Sequence, residues 1–165
     1  MHDKSIAILN AAMADELAAV HQYMYFHFHC DNQGYDPLSN LFKMTAVTEM
    51  MHAEKIADRI LFLGGEVEMA LAEPVVSIHD IAKMLAKGKK MEGDSIKAYN
   101  KSALECSKNG DSVSKQLFEE LVASEEGHYD AFDMQEQHLK KFGEQFLALQ
   151  SMDRFKSLGG PATGA

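Results

Sequence analysis

Four glutamates, equally spaced along the chain, interrupt helical stripes of apolar residues and restrict the possible folds more than any other feature. Glu16 and Glu49 lie 33 positions apart, Glu92 and Glu125 repeat that separation, and corresponding members of the two pairs are 76 positions apart. Each glutamate lies between apolar residues that share one face of a 3.6-residue helical pattern. Four amphipathic helices are therefore predicted, each directing one carboxylate toward a shared interior.

Two of these glutamates are followed three positions later by a histidine. His52 follows Glu49 and His128 follows Glu125, and the two histidines are again 76 positions apart. Residues i and i+3 share a helix face, so each Glu-x-x-His pair directs both side chains to one spot. The chain therefore reads as two similar helical hairpins that meet around a pseudo-two-fold polar site.

The helical pattern predicts four long helices over about residues 3–31, 37–63, 80–108 and 111–142, with a short fifth helix after Gly143. The third helix begins near either Ser77 or Asp80 in this pattern. Residues 66–78 form a connection that suits a crossover along a bundle better than a hairpin. Gly88 predicts a kink near the start of the third helix. We predict an all-α four-helix bundle with one long crossover, forming a single domain over residues 1–158, and a disordered tail over residues 159–165.

Charge and composition exclude several classes of protein. The net charge of −9 disfavours a nucleic-acid partner, because such a surface repels phosphate. No apolar stretch reaches 18 residues, and the first residues lack the pattern of a signal peptide, so a cytoplasmic location without membrane contact is expected. Cys30 and Cys106 are too few for a disulfide scaffold, and the crossover would place them at opposite ends of the bundle as free thiols.

Buried carboxylates predict bound cations. Four ionised glutamates packed together without cations would protonate or unfold the bundle, whereas two divalent ions balance their charge. A single Glu-x-x-His pair is usually a solvated helix face, but two pairs with two lone glutamates at matching offsets form the pattern of a di-metal carboxylate bundle. Oxygen ligands with one imidazole per metal favour iron or manganese, and the absence of thiolates disfavours structural zinc.

The sequence resembles the bacterioferritins over about residues 5–157. The matching stretches are DEL at 15–17, QY at 22–23, EMMHA at 49–53, RILFL at 59–63 and EEGH at 125–128. The resemblance implies a ferritin-like four-helix bundle that oxidises Fe(II) with O2 or H2O2 and stores the ferric mineral inside a hollow shell of 24 subunits. The resemblance also allows a ferredoxin-type protein as the electron donor for iron release.

The resemblance also implies a set of functional residues. The two iron ions of each subunit would be held by the six ligands Glu16, Glu49, His52, Glu92, Glu125 and His128. Glu49 and Glu125 would bridge the two ions, with Glu16 and His52 completing one position and Glu92 and His128 the other. Met50 falls where the family places the axial methionine of a haem b shared between two subunits.

Four further positions lie around the implied ligands. Tyr23 is expected to hydrogen-bond to a ligand carboxylate, while Tyr99 is equally compatible with core packing. The sequence departs from the family at Thr48 and Ser124, where aspartates commonly hold the ligand histidines. A hydroxyl can still accept that hydrogen bond but carries no charge.

Two alternatives remain open from the sequence. One is a mini-ferritin that protects DNA in a shell of 12 subunits, although such proteins place their ligands across a subunit interface. The other is a rubrerythrin-like di-iron peroxidase, although such proteins usually carry additional cysteine pairs. The number of copies in the assembly would separate these classes best.

Overall fold

The computed structural model describes residues 2–159, with side chains through residue 154. This part of the chain contains helices and no strand. The helices are α1 (Asp3–Asn32), α2 (Asp36–Phe62), α3 (Ile81–Lys108), α4 (Ser112–Phe142) and α5 (Glu144–Gly159). The predicted helices are confirmed to within one or two residues. Gly159 ends α5, and the remainder of the predicted tail, residues 160–165, lies outside the described residues.

Local side-chain chemistry sets where α3 and α4 begin. Asp80 accepts a hydrogen bond from the backbone N–H of Lys83 at 2.9 Å, and Asp111 accepts one from Ser114 at 3.1 Å. Both carboxylates thereby cap amide groups that the first helical turn leaves unpaired. Gly110, with φ of +71°, makes the reversal between the two helices, a conformation that glycine adopts without steric cost. The second hairpin is therefore closed by the three residues that separate the two helices.

Two buried layers establish how the helices run relative to one another. One layer joins the start of α1 and α4 to the end of α2 and α3, including Leu9, Ile60, Cys106 and Phe118. The other layer joins the opposite helix ends, among them Cys30, Phe42, Met84 and Phe132. Because the ends of α2 and α3 lie in the same layer, these helices are parallel, and the chain must cross the length of the bundle between them. The predicted crossover is confirmed.

The crossover, residues 63–80, has no helix and follows α1 through side-chain amide contacts. Asn10 donates to the carbonyl of Glu66 at 2.9 Å and accepts from the amide of Glu68 at 3.0 Å. Gln22 pairs in the same way with both backbone groups of Val76, at 3.0 and 2.8 Å. These amides satisfy backbone groups that have no secondary-structure partner, and they fix where the segment passes over the bundle.

Gly88 does not interrupt α3, which is continuous from Ile81 to Lys108. A Cβ at this position would lie 3.2 Å from the Phe132 ring. The glycine therefore permits close approach of α3 and α4, a packing role that was not predicted from sequence. Sequence alone does not separate these roles, since both place glycine inside a helix.

The fifth helix packs across one end of the bundle. Phe146 is buried in the layer that contains Phe42 and Phe132. Arg154 contacts Asp31 at 2.6 Å and Asp36 at 2.7 Å, which joins α5 to the turn between α1 and α2. Among the described residues, no helix is both long and apolar enough to cross a membrane.

Both cysteines are buried free thiols, and they lie in different core layers. Burial raises the pKa of Cys30 to about 12, and burial also raises the pKa of Cys106. Since the thiolate is the reactive form, we expect a disulfide reagent to label neither thiol in the native protein and both after denaturation. Rapid labelling of one native thiol would contradict its burial. A Cys30–Cys106 crosslinked peptide in mass spectrometry would contradict this topology.

Candidate di-metal centre

Six buried or partly buried side chains meet between the two apolar layers. α1 contributes Glu16, α2 contributes Glu49 and His52, α3 contributes Glu92, and α4 contributes Glu125 and His128. All six were predicted from sequence, and the structure brings all six together. These residues belong to helices that pack in one apolar layer on each side of the site, so the bundle fixes where the side chains lie.

The six side chains divide into two sets of four that share two members. Glu16, Glu49, His52 and Glu125 form one set, and Glu49, Glu92, Glu125 and His128 form the other. Within each set the ligand atoms lie within 4.8 Å of one another. Glu49 and Glu125 belong to both sets, as a pair of bridging carboxylates would.

The contact distances resolve which oxygen of each shared glutamate belongs to which set. His52 Nδ1 lies 2.9 Å from Glu49 Oε2 and 3.2 Å from Glu125 Oε1. His128 Nδ1 lies 3.0 Å from Glu49 Oε1 and 3.1 Å from Glu125 Oε2. Each shared carboxylate therefore presents one oxygen to each half of the site.

The remaining glutamates are terminal. Glu16 Oε2 lies 3.5 Å from His52 Nδ1, and Glu92 Oε2 lies 3.6 Å from His128 Nδ1. Of the two histidines, each of these carboxylates contacts the one in its own set. The arrangement gives each set one terminal carboxylate, one imidazole and two shared carboxylates.

Tyr23 and Tyr99 hold the terminal glutamates across the bundle. Tyr99 on α3 donates its hydroxyl to Glu16 Oε1 on α1 at 2.6 Å, and Tyr23 on α1 donates to Glu92 Oε1 on α3. Burial raises the pKa of both phenols well above the ordinary value, so they remain protonated donors. The role expected for Tyr23 is seen in this geometry, and the sequence alone did not decide the matching role of Tyr99.

Burial and contacts within the cluster shift the pKa values of the four carboxyls in opposite directions. Burial raises the pKa of Glu16 and of Glu92 well above the ordinary range. Burial would also raise the pKa of Glu49 and Glu125, but hydrogen bonds with His128 and His52 outweigh it and lower both values. Without metal, these shifts favour protonated terminal carboxyls and ionised shared carboxylates.

The two histidines carry the compensating positive charge. Burial would lower the pKa of His52, but hydrogen bonds with Glu125, Glu16 and Glu49 raise it to about 11. Burial likewise opposes protonation of His128, and hydrogen bonds with Glu125, Glu49 and Glu92 raise its pKa to about 12. Two imidazolium groups thus balance two carboxylates in the metal-free protein.

The polar atoms at the centre fit metal ions better than they fit one another. Both side-chain oxygens of Glu49, and Nδ1 of His52, are buried, and although these groups lie close enough to shift one another's pKa, their contacts lack the geometry of satisfied hydrogen bonds. Buried polar atoms are normally satisfied, so unsatisfied ones that converge on a point fit a bound cation. Carboxylate oxygens with one imidazole on each side are ligands that suit iron or manganese.

Ser124 and Thr48 precede the shared glutamates and behave differently. Ser124 Oγ lies 3.0 Å from His52 Nε2. Thr48 Oγ1 instead donates to the carbonyl of Met44 on its own helix, at 3.1 Å. The expectation that a hydroxyl can replace the aspartate is therefore met at Ser124, while Thr48 makes a different bond.

A cavity of about 390 Å³ between α1 and α3 reaches the carboxylates from the surface. Its lining includes Asp15, Glu73 and Lys87, and the last two form an ion pair at 2.6 Å. Burial raises the pKa of Asp15, and the charge of nearby Glu73 adds to the effect. This acidic rim was not predictable from sequence, because Glu73 comes from the aperiodic crossover and only the folded chain brings it beside α1.

Met50 lies outside the cluster, on the surface of α2. Its side chain is 49% exposed, and the neighbouring Met51 is 51% exposed. The residue is therefore available for contact with a second molecule and takes no part in the carboxylate site.

A four-helix bundle with two Glu-x-x-His pairs and two further inward glutamates defines a di-metal carboxylate protein of the ferritin-like class. The model of the ferritin-like domain matches residues 6–142. A bacterioferritin from Brucella melitensis is 37% identical over 142 residues, which cover 86% of this chain and 88% of that protein. A bacterioferritin from Desulfovibrio desulfuricans is 35% identical over 145 residues, covering 88% and 81% of the two chains. The chain belongs to the bacterioferritin family.

Solved structures agree with this assignment. The bacterioferritin of Desulfovibrio desulfuricans, whose diiron site is described in different catalytic states, has a TM-score of 0.89 and 34% identity over 90% of this chain and 87% of that one. The bacterioferritin of Rhodobacter capsulatus, described with a metal-free dinuclear site and a haem iron, has a TM-score of 0.87 and 31% identity over 99% of this chain and 98% of that one. Iron storage is the function that the family and the buried cluster support.

Proposed function

We propose that the cluster is a ferroxidase centre, which oxidises Fe(II) as the first step of storage. The observation that carries the proposal is the division of Glu49 and Glu125, each of which offers one oxygen to each half of the site. Such carboxylates hold two ions close together and balance their charge. Two bound Fe(II) ions supply two electrons, which with two protons reduce O2 to H2O2, or H2O2 to two waters.

The chain's own residues position the ions and supply protons. Tyr23 and Tyr99 fix the terminal glutamates, so each ligand is oriented before an ion arrives. Binding of the ions displaces protons from the histidines and terminal carboxyls. The buried surroundings keep bulk water away from the ligands, which strengthens each electrostatic contact.

The acidic cavity between α1 and α3 provides a path for Fe(II) to the site. Glu73 and Asp15 lie along it, and the four cluster glutamates line its inner part. The outer part of the cavity carries the carboxylates of Asp15, Glu73 and Asp94 against the two lysines Lys87 and Lys90, and this excess of carboxylates favours the entrance of divalent cations. This electrostatic setting agrees with the net charge of −9 and with a cationic substrate.

The assembly proposed is a hollow shell of 24 copies with a mineral core. The six proposed ligands all come from one chain, which favours this class over mini-ferritins, whose ligands lie across an interface. Mass photometry should show 24 copies. A shell of 12 would favour the mini-ferritin alternative, and an isolated dimer would contradict storage in a shell.

Rapid mixing of the metal-free protein with Fe(II) and O2 tests the proposed reaction. We expect a fast absorbance increase that saturates at two Fe(II) per subunit, followed by slower mineral growth. Oxidation no faster than in buffer without protein would overturn the assignment.

We further propose that Met50 binds haem b at a two-fold contact between subunits. Its exposed thioether is suited to be an axial ligand, and two copies would supply both sulfurs. Protein expressed with sufficient haem should show a Soret band that is lost in Met50→Leu.

Met51→Leu is the matched control, because Met51 is equally exposed and adjacent in sequence. The Soret band should persist in this variant. A band that survives Met50→Leu, or the absence of any band in the unmodified protein, would contradict the haem proposal.

A further inference from the structure

The two halves of the metal site differ in how their histidines are held. His52 Nδ1 faces the carboxylates, and its Nε2 lies 3.0 Å from Ser124 Oγ. His128 Nδ1 faces the carboxylates in the same way. In the described part of the chain, however, no hydrogen bond reaches His128 Nε2, although this residue is the pseudo-symmetric counterpart of His52.

The difference arises at two positions that the internal repeat makes equivalent. Ser124 directly precedes Glu125, and Thr48 directly precedes Glu49. Thr48 donates its hydroxyl to the carbonyl of Met44, a bond within its own helix that β-branched hydroxyl residues commonly make. The Thr48 hydroxyl is therefore engaged within α2, whereas the Ser124 hydroxyl reaches across from α4 to α2.

A hydrogen bond at Nε2 determines how firmly each imidazole is oriented for binding a metal through Nδ1. An imidazole that binds a metal through Nδ1 carries its proton on Nε2. Ser124 Oγ can accept that proton's hydrogen bond, which fixes both the tautomer and the ring orientation of His52. The His128 ring has no such contact among the described residues, and it is also more exposed, at 15% against 5% for His52.

We propose that Ser124 is a positioning residue that makes the two metal positions unequal. The position formed by Glu16 and His52 binds a divalent ion more tightly than the position formed by Glu92 and His128. The inference rests on the proposed di-metal function. Contacts of this kind to a metal-ligating histidine typically change metal affinity 10–100-fold, so we expect the two affinities to differ by at least about tenfold.

Co(II) binding to the metal-free assembled protein tests the inference without any oxidation step. The visible absorption of Co(II) reports its coordination, and calorimetry gives the affinities. We expect two binding steps per subunit in the unmodified protein. In Ser124→Ala, the tighter step should weaken by about tenfold or more, so that the two steps merge.

Thr48→Ala is the matched control, because it removes a hydroxyl at the equivalent position that touches neither histidine. Its two steps should match those of the unmodified protein. Ser124→Asp should restore the tight step, since a carboxylate also accepts the Nε2 hydrogen bond, and a loss caused only by altered helix packing would not be restored. Melting curves establish that each variant is folded.

The outcomes separate this inference from the proposed function. Two equal steps in the unmodified protein, or equal losses in Ser124→Ala and Thr48→Ala, would overturn the role of Ser124 while leaving a di-metal site. Failure of the unmodified protein to bind Co(II) at two sites would overturn the di-metal function itself.

Discussion

Glu125→Ala is expected to remove both metal positions at once and to lower the rate of the fast Fe(II) oxidation phase by at least about 100-fold. The reason is geometric, since Glu125 Oε1 faces His52 and Oε2 faces His128. Loss of a shared ligand also removes charge balance for the remaining ion. Stopped-flow absorbance after mixing with Fe(II) and O2 measures the rate, and calorimetry with Co(II) measures the number of sites.

Glu126→Ala provides the matched control, because the next residue along α4 is an exposed glutamate outside the cluster. Its fast phase should be unchanged. Glu16→Ala should be intermediate, with one position weakened and the other retained, since Glu16 belongs to one set only. A fast phase that survives in Glu125→Ala would contradict the assignment of bridging ligands.

The contacts of His52 and His128 with the glutamates change what is expected of the metal-free fold. Considered from sequence, four buried carboxylates have no compensating charge and should strain the bundle. In the structure, His52 and His128 supply two positive charges and their hydrogen bonds lower the pKa of Glu49 and Glu125. The metal-free cluster therefore balances its own charge, and removal of a shared carboxylate leaves two imidazolium groups beside one ionised carboxylate in the interior.

The fold and the ligand set were predictable because the internal repeat constrains them together. Equal offsets place Glu49 and Glu125 at the same height on two hairpins, and the i+3 relation brings each histidine to the same face. The connection predicted over residues 66–78, which lacks helical periodicity, then favours a crossover along the bundle over a tight hairpin. These inferences need only helical geometry and the cost of burying charge.

The contacts around the ligands could not be derived in the same way. Tyr23 and Tyr99 each lie seven positions after a glutamate of their own helix, yet each bonds to the terminal glutamate of the other helix. Which helix lies opposite a tyrosine depends on packing, and helical spacing does not encode it. Ser124 and Thr48 show the same limit, because equivalent hydroxyls make different bonds once side-chain rotamers are chosen.

Binding of two divalent ions near pH 7.5 is expected to release about four protons per subunit. The pKa values of His52 and His128, raised to about 11 and about 12 by their glutamate contacts, leave both imidazoles protonated in the metal-free protein. Burial raises the pKa of Glu16 and of Glu92, which favours the protonated form of those carboxyls as well. Metal ligation requires neutral imidazoles and ionised carboxylates, so about two protons leave for each ion.

The sign of the pH dependence follows from these protons. Each released proton strengthens metal binding about tenfold per unit rise in pH, so affinity should rise about 100-fold per unit for each ion. The stability of the metal-free fold changes in the opposite direction as pH rises. Since the folded chain holds protons that the unfolded chain has lost, the stability of the metal-free protein should decline as pH rises from about 6 toward 9.

Calorimetric titration with Co(II) in buffers of different ionisation enthalpy counts the released protons directly. Glu16→Gln should reduce the count by about one, because an amide has no proton to lose, whereas Glu126→Gln should leave it unchanged. Thermal melting of the metal-free protein across the same pH range tests the linked change in stability. Metal affinity that is independent of pH, or release of fewer than two protons per subunit, would contradict the paired charge state derived from the contacts of His52 and His128.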